Sequence, residues 1–174
     1  LGESSRRGGG EAWVLEAEVA ERAAPARAVE AVLKRWERLD ILVNNAGLTR
    51  DTLVMRMSEA DWDIVLQTNL KAAFLCSKAA LKPMLKQRYG RIVNVSSLAG
   101  VAGTAGQANY SASTAGLIGI TQSLSSEVCS RKPHVNSVPP GFLPTPLPYR
   151  LPSELLHSRP PAAPYPPARF VPAS

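Results

Sequence analysis

The sequence has little cysteine, and its hydrophobic residues never form a long run. Only Cys76 and Cys129 occur in 174 residues, so we expect two buried free thiols in a reducing compartment and not a disulfide framework. No run of about 18 apolar residues occurs, and residues 1–13 lack the apolar stretch of a secretory signal. We therefore expect a soluble protein without membrane contact, in the cytoplasm or in a plastid or mitochondrial matrix.

Runs of basic residues are also lacking, although the formal net charge is +6. The basic residues are scattered in runs of at most two, and aromatic residues make up only 6% of the chain. A nucleic-acid interface built on base stacking is therefore not expected, and neither is a metal site. A basic surface of this kind still suits an acidic protein partner or a phosphorylated ligand.

Proline divides the chain into zones. Residues 139–174 contain twelve of the fifteen prolines, and proline fixes φ and removes a backbone donor, so we expect residues 144–174 to form an irregular tail. Residues 1–10 are polar and Gly-rich, which predicts a flexible lead-in. The rest, residues 11–143, has enough hydrophobic content for one globular domain.

Strand-like and helix-like patterns alternate in this middle zone. The predicted strands are residues 12–19, 41–43, 91–95 and 134–138, and the predicted helices are residues 24–39, 58–87 and 108–130. We expect Pro83 to bend or break the second helix and Gly90 to end it. Strands separated by helices of this length imply right-handed crossovers, so the pattern predicts an α/β protein with a doubly wound parallel sheet.

In such a sheet, ligands bind beyond the carboxyl ends of the strands. Ser97 directly follows a predicted strand, and Tyr110 lies in the first turn of the next predicted helix. Their hydroxyls can therefore meet over the cleft, which suggests acid–base chemistry on an oxygen atom. The alternative is that both are ordinary polar residues at a strand end and a helix start.

Several motifs occur in one order along the chain and together resemble the short-chain dehydrogenase/reductase family. They are Asn45-Ala46-Gly47, Asn69, Ser97, residues 110–114 and Pro140-Gly141. The resemblance covers roughly residues 11–147 and implies a three-layer Rossmann-like fold and a nicotinamide-dependent oxidoreductase. It also implies that Ser97 binds the substrate carbonyl, that Tyr110 protonates its oxygen as hydride arrives, and that Asn69 holds a water of the proton relay.

Thr114 stands where the family has a lysine. A free phenol has a pKa of about 10, and lowering it by two or three units takes roughly 3–4 kcal/mol of preferential stabilisation of the phenolate. A short neutral side chain supplies no cation and cannot reach the nicotinamide ribose. We therefore expect impaired catalysis, and a catalytically silent fragment or interaction subunit is the alternative.

The family's Gly-rich T-G-x-x-x-G-x-G turn, which holds the cofactor pyrophosphate, has no counterpart in this sequence, and neither has its last V-D-G-G-like strand. The fold is therefore expected to be incomplete at both ends. The remaining cofactor contacts implied by the resemblance are Glu18, Val19, Asn45, Ala46, Gly47, Tyr110, Pro140, Gly141, Leu143 and Thr145. Glu18 could equally be a solvated charge. The implied cofactor is NADP, with NAD as the alternative.

Within the family, residues 45–51, 55–57 and 106–110 are most similar to 3-oxoacyl-[acyl-carrier-protein] reductases. That similarity implies NADPH-dependent reduction of a 3-oxoacyl thioester in fatty acid synthesis, with an acidic acyl carrier protein docking on Arg88 and Arg131. The two arginines could equally be solvated residues at helix ends. The similarity also implies a homodimer or homotetramer formed through helices 59–87 and 108–130. Another NAD(P)-dependent short-chain alcohol dehydrogenase is a further alternative.

Overall fold

The computed structural model describes residues 11–18, 21 and 23–140. Its elements are α1 (Ala24–Trp36), β1 (Ile41–Asn44), α2 (Glu59–Val65), a π-helical segment (Leu66–Lys71), α3 (Ala72–Gln87), β2 (Arg91–Val95), α4 (Ala99–Ala102), α5 (Ala108–Val128) and β3 (His134–Val138), with short 3₁₀ turns at Val54–Arg56 and Cys129–Arg131. The predicted lead-in 1–10 and tail 144–174 lie outside the described residues. Within the described part, no helix is both long and apolar enough to cross a membrane.

The three strands form one parallel sheet in the order β1-β2-β3. Leu42 pairs in register with Ile92, and Ile92 pairs with Val135. Both crossovers move in the same direction across the sheet, so right-handed connections place α2, α3 and α5 on one face. The predicted Rossmann-like α/β fold class is confirmed.

The hydrophobic core lies between the sheet and this helical layer. Met84 from α3, Ile92 from β2 and Val135 from β3 are buried together, and α1 packs against α3. On the opposite face of the sheet, Ile41 is 58% and Val43 is 55% exposed. Among the described residues, therefore, helices cover one face of the sheet only.

The predicted strand at residues 12–19 is wrong over its described part, because residues 11–18 form no strand. A strand needs a hydrogen-bonded neighbour, and this segment pairs with none of the three strands. It packs against α1 instead, where the Trp13 ring lies edge-on to Trp36 at 5.7 Å between centroids. The Arg35 guanidinium lies over both rings and pairs with the Glu11 carboxylate.

The helices begin and end close to their predicted positions. Ser58 caps α2, since its hydroxyl oxygen accepts a hydrogen bond from the Asp61 N–H at 3.1 Å, as the capping-box pattern predicts. Pro83 lies inside α3 without breaking it, and the helix ends where Arg88 takes a left-handed conformation at φ 53°. Gly90 serves a close approach, because a Cβ there would lie 2.5 Å from the Met84 sulfur.

Both cysteines are free, but the expectation that both are buried is wrong for Cys129. Cys76 is half-buried within α3, and burial raises the pKa of its thiol. Cys129 lies in the 3₁₀ turn after α5 and is exposed. The predicted helix 108–130 included Cys129, but α5 ends at Val128, so the sequence pattern did not indicate that Cys129 is exposed.

Candidate active site

A pocket of about 180 Å³ lies beyond the carboxyl ends of β1 and β2. Its walls come from the loop after β1, the π-helical segment, the end of β2 and the first turns of α5. The lining residues are Asn45, Ala46, Gly47, Leu48, Thr49, Asn69, Val95, Ser96, Tyr110, Thr114 and Leu117. The structure thus brings together the predicted Asn45–Gly47 loop, Asn69, Tyr110 and Thr114.

Asn69 holds the loop that lines this pocket. Its side-chain oxygen accepts the Leu48 N–H at 2.9 Å, and its amide donates to the Leu48 carbonyl at 2.9 Å and to the Ser113 hydroxyl at 3.1 Å. The residue is buried in the π-helical segment, a local widening that is frequent at functional sites. The described contacts of the Asn69 side chain are therefore structural, and the predicted water of a proton relay stays a prediction.

Asn109, like Asn69, holds the pocket wall by side-chain hydrogen bonds, and the sequence analysis did not predict this role. This side chain is 0% exposed. Its oxygen accepts the Tyr110 N–H at 2.8 Å, while its amide donates to the carbonyls of Arg50 and Asp61 at 3.1 and 3.2 Å. It therefore ties the first turn of α5 to the loop after β1 and to α2. A polar residue directly before the candidate tyrosine, at a helix start, was the available signal.

Further bonds fix the same loop, which we call the site loop (residues 45–52). Gln107 donates to the Asp51 carboxylate at 3.0 Å, and the Thr52 N–H donates to the Gly106 carbonyl at 2.8 Å. With Asn69 and Asn109, these contacts hold the site loop on α5 and on the turn before it. Several hydrogen bonds therefore hold the site loop in place, although the second carboxylate oxygen of Asp51 is buried without a partner among the described residues.

Tyr110 is half-buried in the first turn of α5 and lines the pocket. Its carbonyl accepts the hydroxyls of Ser113 and Thr114, each at 2.9 Å. No hydrogen bond to its phenolic oxygen occurs among residues 11–18, 21 and 23–140. The backbone of Tyr110 is thus firmly held, and no described residue bonds its hydroxyl.

Thr114 is only 3% exposed, and its hydroxyl turns back toward its own helix. Its oxygen lies 2.9 Å from the Tyr110 carbonyl and 3.3 Å from the Ser111 carbonyl. Helix α4 passes close by, since a Cβ on Gly100 would lie 2.7 Å from that oxygen. Among the described residues that line the pocket, none is a lysine or an arginine. The threonine therefore fits its site without supplying a cation.

Ser97 and Tyr110 are not joined by a hydrogen bond in the described part of the chain. The Ser97 oxygen accepts the Ala99 N–H at 3.2 Å at the start of α4, which leaves the Ser97 proton available. The neighbouring Ser96 lines the pocket and lies 3.1 Å from the Ser137 hydroxyl. Which of two adjacent serines faces the pocket depends on the turn after β2, and the sequence does not fix that turn.

The predicted cofactor contacts are only partly brought together. Asn45, Ala46, Gly47 and Tyr110 lie at the pocket, Pro140 is half-buried after β3, and Glu18 is exposed in the segment before α1. Val19, Gly141, Leu143 and Thr145 lie outside the described residues. Ala46 and Gly47 are small residues that line the pocket together with Tyr110. The described residues offer no Gly-rich turn for its phosphates.

Arg88 and Arg131 lie at the other end of the molecule. Arg88 ends α3 just before β2, and Arg131 lies in the 3₁₀ turn just before β3, so both are at the amino edge of the sheet. Both are exposed. Helix α5, with 21 residues, separates Arg131 from Tyr110 by about 30 Å. One copy of the chain therefore cannot place these arginines beside its own pocket.

Comparison with known proteins points to one family. The family model of short chain dehydrogenases matches residues 2–154. The chain is 47% identical over 137 residues to the 3-oxoacyl-[acyl-carrier-protein] reductase of Synechocystis, covering 79% of this chain and 56% of the relative. For the reductases of Thermotoga maritima and Vibrio cholerae the identities are 47% and 51%, covering 72% and 67% of this chain and 51% and 50% of the relative. The chain spans about half the length of the curated relatives it matches.

Proposed function

We propose that the site of this chain is built for NADPH-dependent reduction of a 3-oxoacyl thioester. The chain belongs to the short-chain dehydrogenase/reductase family and most resembles its 3-oxoacyl-[acyl-carrier-protein] reductases. The observation that carries the proposal is the pocket that unites Tyr110, Asn69 and the site loop. We further propose that Thr114 weakens this activity.

In the proposed reaction, the bound nicotinamide supplies a hydride to the carbonyl carbon at position 3. Tyr110 donates its phenolic proton to the carbonyl oxygen, so that the product is the 3-hydroxyacyl thioester. Ser97, which follows the pocket residue Ser96, would donate a hydrogen bond to the same oxygen. Asn69 and Asn109 keep the site loop and the tyrosine backbone at a fixed separation. Ala46 and Gly47 leave room for the nicotinamide ring.

The weak step is the proton donation. A cation one helical turn from the phenol favours the phenolate electrostatically and so makes the phenol a better acid near neutral pH. Position 114 lies one turn after Tyr110, but its threonine is neutral and its hydroxyl bonds backbone carbonyls. Hydride transfer without a ready proton leaves an unstable alkoxide, so the reaction slows.

The proposed protein substrate is an acidic acyl carrier protein, which the exposed Arg88 and Arg131 would attract. Because these arginines lie at the amino edge, we propose that they serve the pocket of another copy. Pairing through α2, α3 and α5 is supported by the exposed Trp62 and Phe74 and by open space around Gly119. Free thiols persist in the cytoplasm or an organelle matrix, where we place the chain.

Fluorescence titration with NADPH and NADH is the first test, followed by reduction of an acetoacetyl thioester. We expect binding with slow reduction, and faster reduction in the Thr114→Lys variant. Absence of binding at millimolar concentrations of either cofactor would contradict an enzymatic role. Binding without reduction in either protein would favour the catalytically silent alternative.

A further inference from the structure

A groove of about 780 Å³ runs between α1 and α3. Among the described residues, it shares no lining residue with the pocket at Tyr110. Clefts that bind small organic molecules have volumes of about 300–1,000 Å³. The groove is therefore large enough for an organic ligand, and the proposed reaction gives it no role.

The floor of this groove is apolar. Val29 and Leu33 form it on the α1 side. Leu75, Ala79 and Pro83 form it on the α3 side. All five side chains are half-buried, so each keeps part of its apolar surface in contact with water. A hydrocarbon chain in the groove would remove this surface from water, which is favourable in proportion to the area buried.

One edge of the groove, which we call the lysine edge, carries Lys78, Lys82 and Lys86. Their four-residue spacing along α3 places them on one side of the helix, with successive Cβ atoms about 6 Å apart. All three side chains are exposed. None of their ammonium groups forms an ion pair within the described part of the chain. Because like charges at this spacing repel each other, a bound anion would relieve the repulsion.

The acidic charge near this edge is small. Helix α3 contains no acidic residue. On the α1 side, the lining includes one carboxylate, that of the exposed Glu30. Three positive charges therefore face one negative charge across the groove, and the field in it favours an anion.

We propose that this groove binds a carboxylate with a single alkyl chain, the chemical class of a fatty acid anion. The chain lies on the apolar floor and the carboxylate lies at the lysine edge. A carboxyl group is ionised near neutral pH, and an alkyl chain needs no hydrogen-bond partner. The inference does not rest on the proposed function, because it uses none of the residues at Tyr110.

The width of the groove favours an alkyl chain over a peptide helix or a membrane. The axes of packed helices are about 8–10 Å apart, so a third helix, about 10–12 Å wide, would rest above α1 and α3. A bilayer surface is broader still. An alkyl chain is narrow enough to lie between the two helices and reach the half-buried floor.

The direct test is equilibrium dialysis of the full chain against labelled dodecanoate, below the concentration at which it forms micelles. We expect saturable binding of one molecule per chain. From hexanoate to dodecanoate, each added methylene should tighten binding by up to about fourfold until the floor is covered. Dodecyltrimethylammonium, with the same chain and the opposite charge, should bind far more weakly. Equal binding of this cation, or no saturable binding of dodecanoate, would overturn the proposal.

A variant without the lysine edge separates the site from general hydrophobic binding. Replacing Lys78, Lys82 and Lys86 together by glutamine should raise the Kd for dodecanoate about tenfold and leave the Kd for the uncharged dodecanol within about twofold. Lys34→Gln is the matched control, because Lys34 is exposed on α1 outside the groove. Equal losses in the triple variant and in Lys34→Gln would contradict a site at the lysine edge.

The floor is examined with Ala79→Leu, which adds three carbon atoms at a half-buried position of the groove. Dodecanoate should bind more weakly, and the gain in affinity along the chain-length series should stop at a shorter chain. Ala60→Leu, at an exposed position of α2, should change neither. Circular dichroism checks the fold. If Ala79→Leu does not fold, the chain-length series on the unchanged protein and the triple lysine variant decide.

The other two occupants are outcomes of the same experiments. Tight binding of an acidic amphipathic peptide that dodecanoate does not displace would assign the lysine edge to a peptide and overturn the proposal. Binding to vesicles of phosphatidylcholine and phosphatidylglycerol, together with no binding of dissolved dodecanoate, would assign it to a membrane surface and overturn the proposal as well. Displacement of either by dodecanoate, with loss of that displacement in the triple lysine variant, supports the fatty acid site.

Discussion

The two sides of the pocket at Tyr110 differ in their interactions: one is rich in hydrogen bonds between distant segments, and the other lacks a charged side chain. On one side, Asn69, Gln107 and Asn109 hold the site loop by hydrogen bonds to its backbone and side chains. On the other side, Thr114 fills a buried helix position without a charge. In the proposed reaction, the residues that position Tyr110 are therefore separate from the residue that would activate it electrostatically, and one can change without the other.

This separation is possible because the hydroxyl at position 114 finds its hydrogen-bond partners within its own helix. Thr114 bonds its own helix, so replacing the family's lysine leaves no buried group without a partner. The amides of Asn69 and Asn109 connect segments that lie far apart in sequence, and removing either would leave buried carbonyls or N–H groups unpaired. A chain can thus keep its framework while its acid chemistry weakens.

Thr114→Lys should produce the largest effect, because it adds a charge at the end of a longer side chain. We expect the rate of acetoacetyl thioester reduction at saturating NADPH to rise about 10²- to 10⁴-fold, the range typical of general acid catalysis. Thr114→Gln is the matched control, since it extends the side chain without charge and should give little gain. Equal gains in both variants would show that filling the cavity, and not the charge, was limiting.

Asn109→Ala should destabilise the side of the pocket where hydrogen bonds hold the site loop. The variant leaves the carbonyls of Arg50 and Asp61 and the Tyr110 N–H without their partner, so the free energy of unfolding should fall by about 2–4 kcal/mol. Urea denaturation measures this loss. Asn136→Ala, at an exposed position of β3, should change stability by less than about 0.5 kcal/mol. Similar losses in both would contradict this role of Asn109.

The two thiols test whether α3, which follows the π-helical segment, packs in solution as it does here. Burial raises the pKa of the Cys76 thiol, so less thiolate forms at a given pH and the reactive form appears only at higher pH. At pH 8, iodoacetamide should modify Cys76 about tenfold more slowly than the exposed Cys129. Single Cys→Ser variants separate the two rates, and the Cys76 rate should still rise above pH 9. Equal rates would mean that α3 is not packed.

Ser58→Ala should have the smallest effect of the four. Ser58 caps α2 through the Asp61 N–H, and losing such a cap costs about 1 kcal/mol. Ser126, on the exposed face of α5, bonds only a carbonyl of its own helix, so Ser126→Ala should be within about 0.5 kcal/mol of the unchanged protein. Urea denaturation of both variants under the same conditions measures the two changes in the free energy of unfolding. An unchanged free energy of unfolding in Ser58→Ala would contradict a stabilising role of this cap.

The sequence predicted the parts of the fold that depend on local patterns. A continuous apolar run predicted β1, short strand-like segments predicted β2 and β3, and helical spacing predicted α1 and α5 to within about three residues. A strand was also predicted at residues 12–19, but its described part, residues 12–18, forms no strand because it has no partner strand beside it. The π-helical segment escaped prediction, since hydrophobic spacing hardly changes over one widened turn.

The site could be predicted only in part. Tyr110, Asn69 and the Asn45–Gly47 loop lie together because the carboxyl ends of parallel strands meet at one edge of the sheet. The hydrogen bonds of Asn109 join residues separated by 48 and 59 positions, and no local pattern indicates such pairs. The location of Arg88 and Arg131 at the opposite edge is consistent with the predicted parallel strands, because each arginine shortly precedes one.

We propose that Asn69, Asn109 and the site loop hold Tyr110 in place and that a cation at position 114 is missing. Comparison of kcat and of KM for the acyl thioester between the unchanged chain and Thr114→Lys, both at saturating NADPH, tests this most directly. A gain in transition-state stabilisation alone predicts a kcat at least about 100-fold higher with KM within about twofold. A lower KM with an unchanged kcat would contradict the claim, because it would mean that position 114 limits substrate binding and not proton donation.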